Sequence, residues 1–146
     1  MKTLKRNQQI LNYCRLLESE TKVYDENGNW TGERVPIYSA PQEMYANISP
    51  ASGVSATQIF GDLDQYDHVV VTDDTNCQMD ESSVLFIGKD YEETTVDAYK
   101  IVPIGPGLNP LVVPVQYSKP KNNYIVVRVS RSLNSIAYAV RKVPVS

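Results

Sequence analysis

Short segments in which apolar and polar residues alternate follow one another along the chain, separated by turn-forming residues. The clearest are 66–72, 83–87 and 96–102, together with a C-terminal hairpin of 123–130 and 136–143 joined by 131–135. Alternation with a period of two is typical of β-strands that bury one face. The pattern therefore predicts an all-β fold of short antiparallel strands.

The N-terminal half carries weaker signals of the same kind. Residues 8–17 fit either a helical face or a first strand, and the strand-rich remainder of the chain favours the strand. The Asn27–Gly28 pair predicts a tight hairpin turn, widened by 31–33, between strands near 20–24 and 34–38.

Two further features of this half concern its edges and loops. Pro36 and Pro41 predict an edge or a bend, because proline cannot donate to a sheet ladder. Residues 42–48 are predicted as a strand, and the small residues of 49–57 as a loop.

Residues 103–120 differ in kind from the rest. Five of the nine prolines lie there, which excludes a central strand, yet the segment is rich in leucine and valine. The sequence predicts a long apolar loop that packs either on its own domain or on a partner.

Composition supports strands. The chain has 18 valines and 10 tyrosines against 7 alanines among its 146 residues. We expect one domain over residues 1–146, a small β-barrel or sandwich of about eight to ten short antiparallel strands with long loops.

Charge is distributed unevenly along the chain. Residues 1–15 carry net charge +4, residues 16–118 carry −13 and residues 119–146 carry +6, for a total of −3. The ends either neutralise the middle within one fold or meet it on neighbouring copies. A nucleic-acid-binding protein is usually basic overall, and this chain is acidic.

No pattern of catalytic or metal-binding residues stands out. The single histidine, His68, lies within an apolar strand pattern. Cys14 and Cys77 are expected to be partly buried free thiols, with a disulfide between them as the alternative. The segment 62–67 begins like a calcium loop but lacks its glycine and terminal glutamate. We therefore expect a protein without enzymatic activity, metal or cofactor.

Localisation is predicted from the same residues. No apolar stretch is long enough for a membrane helix, and the basic N-terminus is not followed by the core of a signal peptide. The cytoplasm is the expected compartment, with no membrane partner.

Four stretches together resemble a known family. They are the turn 24–33, the segment 46–53, Phe60-Gly61 leading to Tyr66-Asp67, and the run 131–140. In this order and spacing the chain resembles the head-closure, or stopper, proteins of long-tailed bacteriophages and Gram-positive prophages, also described as head–tail connectors. Residues 88–121 depart from that pattern by being longer and richer in proline.

The resemblance implies a β-barrel subunit of the virion neck, assembled in the cytoplasm of the bacterial host. Such subunits form a ring of about six or twelve copies below the portal or adaptor. The ring would close the DNA-filled head and offer a surface to the tail proteins. Double-stranded DNA would pass through without sequence-specific binding, and no catalytic residue or cofactor is implied.

The interpretation as a neck subunit suggests candidate residues. An acidic lumen would repel DNA phosphates, and the candidates for it are Asp62, Asp64, Asp73 and Asp74. Segments 49–60 and 103–120 are expected to order on docking, one against the portal and one in the channel. The candidate interface or channel residues are Pro50, Gly53, Phe60, Pro106, Leu108, Leu111, Val113, Arg128 and Arg131.

Two alternatives stay open at this point. One is a tail-completion or adaptor protein of the same neck. The other is a stand-alone β-barrel that binds a small ligand, which would be a monomer with an apolar pocket.

Overall fold

A computed structural model describes residues 8–50, Phe60 and residues 66–144. Within them the chain forms ten β-strands and, as predicted, an all-β fold. The strands are β1 (Gln9–Cys14), β2 (Leu16–Tyr24), β3 (Trp30–Tyr38), β4 (Gln42–Pro50), β5 (His68–Thr72), β6 (Val84–Phe86), β7 (Glu93–Val102), β8 (Leu111–Pro120), β9 (Tyr124–Arg131) and β10 (Ile136–Lys142).

The chain divides into two compact units. The first combines residues 1–15, 40–92 and 122–146, and the second combines residues 16–39 and 93–121. The expectation of one domain over the whole chain stays a prediction, and each unit is described by itself.

The first unit contains a closed six-stranded barrel in the order β1-β4-β5-β10-β9-β6, with β6 pairing back onto β1. Every pairing in it is antiparallel, and closure leaves no unpaired sheet edge. Alternate residues point inward, so Leu11, Met44, Val70 and Tyr138 meet in one buried core. The predicted β-barrel is therefore confirmed.

A β-bulge changes which residues of β9 face that core. Ala139 pairs with Arg128, but Val140 pairs with Val126, so Val127 is the extra residue. The alternation of the sequence predicts Tyr124, Val126, Arg128 and Ser130 on one face. That prediction is wrong beyond the bulge, because Val129 packs against the core instead.

The second unit is a four-stranded antiparallel sheet in the order β3-β2-β7-β8. Its buried cluster consists of Val23, Val35, Ala98 and Tyr117. The two edge strands, β3 and β8, approach each other without pairing. Pro36 lies in β3, which confirms the predicted edge position.

The turn between β2 and β3 is the predicted tight hairpin. The Asp25 carbonyl accepts a hydrogen bond from Gly28 N at 3.0 Å, and Asp25 N donates to Asn29 O at 2.9 Å. Gly28 has φ +81°, so the loop has three residues and ends in a left-handed glycine. Residues 31–33 belong to β3, and the expectation that they widen the turn is wrong.

Two loop predictions need correction. Residues 49–50 complete β4, while 51–57 lie outside the described residues. Residues 103–120 are not one loop, because 111–120 form β8. Pro114 and Pro120 fit there because β8 is an edge strand with one unpaired side.

Candidate interaction surface on the β7–β8 hairpin

The longest regular pairing in the described chain lies between β7 and β8. Ten consecutive residue pairs run from Glu93 opposite Pro120 to Val102 opposite Leu111. The two strands form a hairpin at the edge of the sheet. Residues 103–110, which connect them, are all exposed. The hairpin thus holds its tip on two long, mutually bonded strands.

The tip is a defined turn. Leu108 N donates to Gly105 O at 3.2 Å, and Gly107 between them has φ +75°. Proline at the second position and a left-handed glycine at the third are typical of a type II turn. The backbone of the tip is therefore constrained by Pro106 and Gly107, although all its side chains are solvent-exposed.

Large apolar side chains are exposed at this tip. Leu108 is 62% exposed, Leu111 51% and Ile104 49%. No residue from 101 to 118 is charged, in a chain that is 21% charged. An exposed apolar surface with no charge is unfavourable in water unless a partner covers it.

Four of the predicted interface residues lie in this hairpin. Pro106, Leu108 and Leu111 are exposed at or beside the tip, and the structure brings them together. Val113 is half-buried and lies opposite Lys100, farther along the strand.

The second unit also contains an open groove of about 420 Å³. Its apolar lining comes from both hairpins of the sheet: Val23 and Tyr24 from β2, and Val96, Ala98 and Tyr99 from β7. Sequence reasoning missed this groove, because only the register of Tyr24 opposite Tyr99 brings the two segments side by side.

The groove has an acidic character. Asp25, Glu26, Glu33 and Asp97 also line it, and none of the lysines and arginines among the described residues does. Part of this charge serves the local fold, since Asp25 Oδ1 accepts from the backbone N–H groups of Asn27 and Asn29, both at 2.9 Å.

Trp30 is held by two cations on the same sheet. Lys22 Nζ lies 4.9 Å from the ring centroid and Arg34 Cζ lies 5.1 Å from it. The indole N–H donates to Glu33 O at 3.0 Å. Trp30 is 46% exposed, and these contacts stabilise its position on the hairpin.

The predicted arginines lie in the barrel unit. Arg128 is exposed on β9. Arg131 at the end of β9 is also exposed, but its Nη2 donates to Met79 O at 3.5 Å. Arg128 is therefore the residue whose charge can be changed with less effect on the barrel.

Other candidates occupy separate places on the barrel. Pro50 is exposed at the end of β4, opposite His68. Phe60 is half-buried and packs on the cluster of Val69, Val71 and Ala137. Gly53, Asp62 and Asp64 lie outside the described residues.

The remaining acidic candidates form a turn after β5. Asp73 and Asp74 are both exposed. Asp74 Oδ1 accepts from Asn76 N at 3.0 Å, and Thr72 Oγ1 accepts from Asp74 N at 3.2 Å. Cys77 N closes this turn by donating to Asp74 O at 3.2 Å, and the side chain of Asp74 stabilises it.

The barrel interior holds a small polar group around one thiol. Cys14 and Cys77 are free thiols, as predicted, and both are buried rather than partly buried. Burial, followed by the Cys77 thiol, raises the pKa of Tyr13 to about 12. Burial also raises the pKa of Tyr138, whose hydroxyl makes no hydrogen bond within the described chain.

These groups do not form a metal site. Across residues 8–50, 60 and 66–144, no three His, Cys, Asp or Glu side chains cluster to hold a metal ion. His68 lies in β5 as predicted, half-buried, with its ring edge-on to Tyr124 at 5.5 Å between centroids.

In the described part of the chain, no helix is long and apolar enough to span a membrane. Comparisons with protein-family models, curated proteins and solved structures find no match for the chain. The resemblance to head-closure proteins therefore stays a prediction.

Proposed function

We propose that the chain is a structural subunit of a bacteriophage neck. Copies form a ring below the portal or adaptor, close the DNA-filled head and provide the surface to which the tail attaches. The subunit acts by binding, without catalysis and without a cofactor.

The exposed tip of the β7–β8 hairpin is the observation that carries this proposal. The turn contains Leu108 and is preceded by Ile104, and both side chains are exposed. The 18 residues from 101 to 118 carry no charge, and an exposed apolar surface of this kind is typical of a protein contact.

The charge distribution supports passage of DNA through the ring. Exposed acids, of which Asp73 and Asp74 are examples, repel phosphates and let the duplex leave without strong binding. In this proposal Asp62 and Asp64 belong to the same lining, and the basic β9 residues face an adjacent subunit or the ring above.

Purified virions provide the test of the neck role. Quantitative mass spectrometry of virions from the phage that encodes this chain should find it at a fixed, ring-like ratio to the portal protein. Its absence from virions, with the portal present, would contradict the proposal.

Arg128 provides a test of the electrostatic part. Arg128→Glu should weaken assembly on the portal or adaptor, and the loss should shrink as salt rises, because screening weakens contacts between exposed charges. Lys89→Glu, which changes an exposed cation elsewhere on the barrel unit, is the control. Equal assembly of both variants at all salt concentrations would contradict a role for Arg128.

The groove favours a second candidate function. An open depression of about 420 Å³ with an apolar lining is within the size range of small-ligand sites. A binding module of that kind would be a monomer that does not bind portal assemblies. Its thermal stability would rise when a specific cationic or neutral ligand is added.

A further inference from the structure

The hairpin tip and the groove of the second unit have complementary properties. The tip presents Ile104 and Leu108 without charge, and the charged residue of the hairpin nearest to it is Lys100, opposite Val113 on β8. The groove combines an apolar lining with four carboxylates, and no cation from the described part of the chain lines it. An apolar projection with one lysine behind it matches an apolar depression with acidic groups in both packing and charge.

The volumes are also compatible. Removing one leucine side chain from a packed core leaves a cavity on the order of 150 Å³. A groove of about 420 Å³ therefore has room for the two large side chains of the tip.

The tip cannot occupy the groove of its own chain. Tyr99, which lines the groove, and Val102, where the strand ends, lie on the same extended strand β7. Three residues of strand span about 10 Å, and Ile104 and Leu108 lie beyond that end.

We infer that the hairpin tip of one copy binds in the groove of a neighbouring copy, with Leu108 as its central side chain. The two surfaces are different patches of one chain, so the contact is heterologous and repeats from copy to copy until a ring closes. This inference rests on the proposed neck function, for which it supplies the contact between subunits.

Cysteine cross-linking tests the contact directly. Leu108→Cys changes the exposed tip, and Val96→Cys is a nearly isosteric change in the groove. Mixing the two single variants with a short bismaleimide should give a cross-linked dimer, while either variant alone should not. The double variant should give a ladder of oligomers, and the parent should give none because Cys14 and Cys77 are buried.

Leu133 offers a matched control. It is 90% exposed in the β9–β10 turn of the other unit, so Leu133→Cys tests random collision by an equally accessible thiol. Equal cross-linking of Leu133→Cys to Val96→Cys, or dimers formed by Leu108→Cys alone, would overturn the inference.

A charge placed at the tip provides an independent readout. Leu108→Asp should raise the dissociation constant for self-association about tenfold or more, since it places a carboxylate in an acidic groove. Leu133→Asp should leave it unchanged. Equal dissociation constants for the two variants would count against the inference.

The outcomes separate this contact from the neck role. Cross-linking is carried out on the free chain at high concentration and on the chain bound to portal or adaptor. A ring on that platform without the tip-to-groove cross-link overturns the inference and leaves the neck proposal standing. A cross-link that forms in free protein, from a chain that does not bind the platform, supports the inference and contradicts the neck proposal. Absence of any oligomer overturns both.

Discussion

The side chain of Asn123 pairs with the backbone of Ile87 as a strand residue would. Its Oδ1 accepts from Ile87 N at 2.9 Å, and its Nδ2 donates to Ile87 O at 2.7 Å. The backbone of Asn123 is also used, because its N–H donates to Leu85 O and its carbonyl accepts from Val143 N. One residue thus joins the end of the short strand β6 to β9 and to the segment after β10.

Asn123→Ala should therefore lower the free energy of unfolding by about 1–3 kcal/mol, because it leaves two part-buried backbone groups of Ile87 without partners. Urea titration followed by circular dichroism measures the change. Asn122→Ala is the control, since within the described residues that side chain donates one bond, to Tyr124 O at 3.1 Å, and its loss should cost less. A larger loss for Asn122→Ala would contradict this role for Asn123.

Two buried tyrosines of the barrel should respond differently to loss of the hydroxyl. Tyr13 donates to Gln42 Oε1 at 2.6 Å, whereas the hydroxyl of the fully buried Tyr138 makes no hydrogen bond within the described chain. We expect Tyr13→Phe to cost about 1 kcal/mol, and Tyr138→Phe to be neutral or stabilising. Thermal unfolding of both variants checks this. A clear loss of stability in Tyr138→Phe, with none in Tyr13→Phe, would contradict the prediction.

Stability should fall at alkaline pH for a reason that involves Tyr13. Burial raises the pKa of Tyr13 to about 12 in the folded state, from 10.0, so the folded state holds this proton more tightly. The contribution is complete below about pH 10 and is lost as the pH rises towards 12, by up to about 1.4 kcal/mol per pH unit. Between pH 9 and 12 the urea midpoint should fall less steeply in Tyr13→Phe than in the parent protein. Tyr45→Phe, which changes an exposed tyrosine, should fall as steeply as the parent.

Alanine substitutions at Gly28 and Gly32 distinguish the cost of backbone strain from the cost of a steric clash. Both have φ near +80 to +90°, but a Cβ at Gly28 would lie 3.0 Å from Val112 Cγ2, whereas a Cβ at Gly32 would meet nothing within 4 Å. Gly32→Ala should cost about 1 kcal/mol from backbone conformation alone, and Gly28→Ala should cost more. Equal losses in urea titration would show that Val112 moves aside freely.

The strands were largely predictable because they depend on local alternation and turn residues. The hairpin of β9 and β10 and the turn at Gly28 follow from residues adjacent in sequence, and both are confirmed. Residues 111–120 were not, because proline excludes a central strand but not an edge strand, and the edge position depends on the order of strands in the sheet.

The candidate surface was predictable only in part. Pro106, Leu108 and Leu111 stand out in the sequence as apolar residues in a proline-rich segment, and the structure exposes them together. The groove required the pairing of Tyr24 with Tyr99, which joins segments about 75 residues apart. The role of Asn123 depends on a contact with Ile87 that no local pattern indicates.

The mass of the purified chain, alone and mixed with the portal or adaptor assembly of the phage that encodes it, tests the neck role most directly. Light scattering after size exclusion should show a complex whose added mass is a whole ring of 16.4 kDa subunits. A chain that stays monomeric and elutes apart from that assembly would contradict the account, and would make the ligand-binding module the better explanation of the groove.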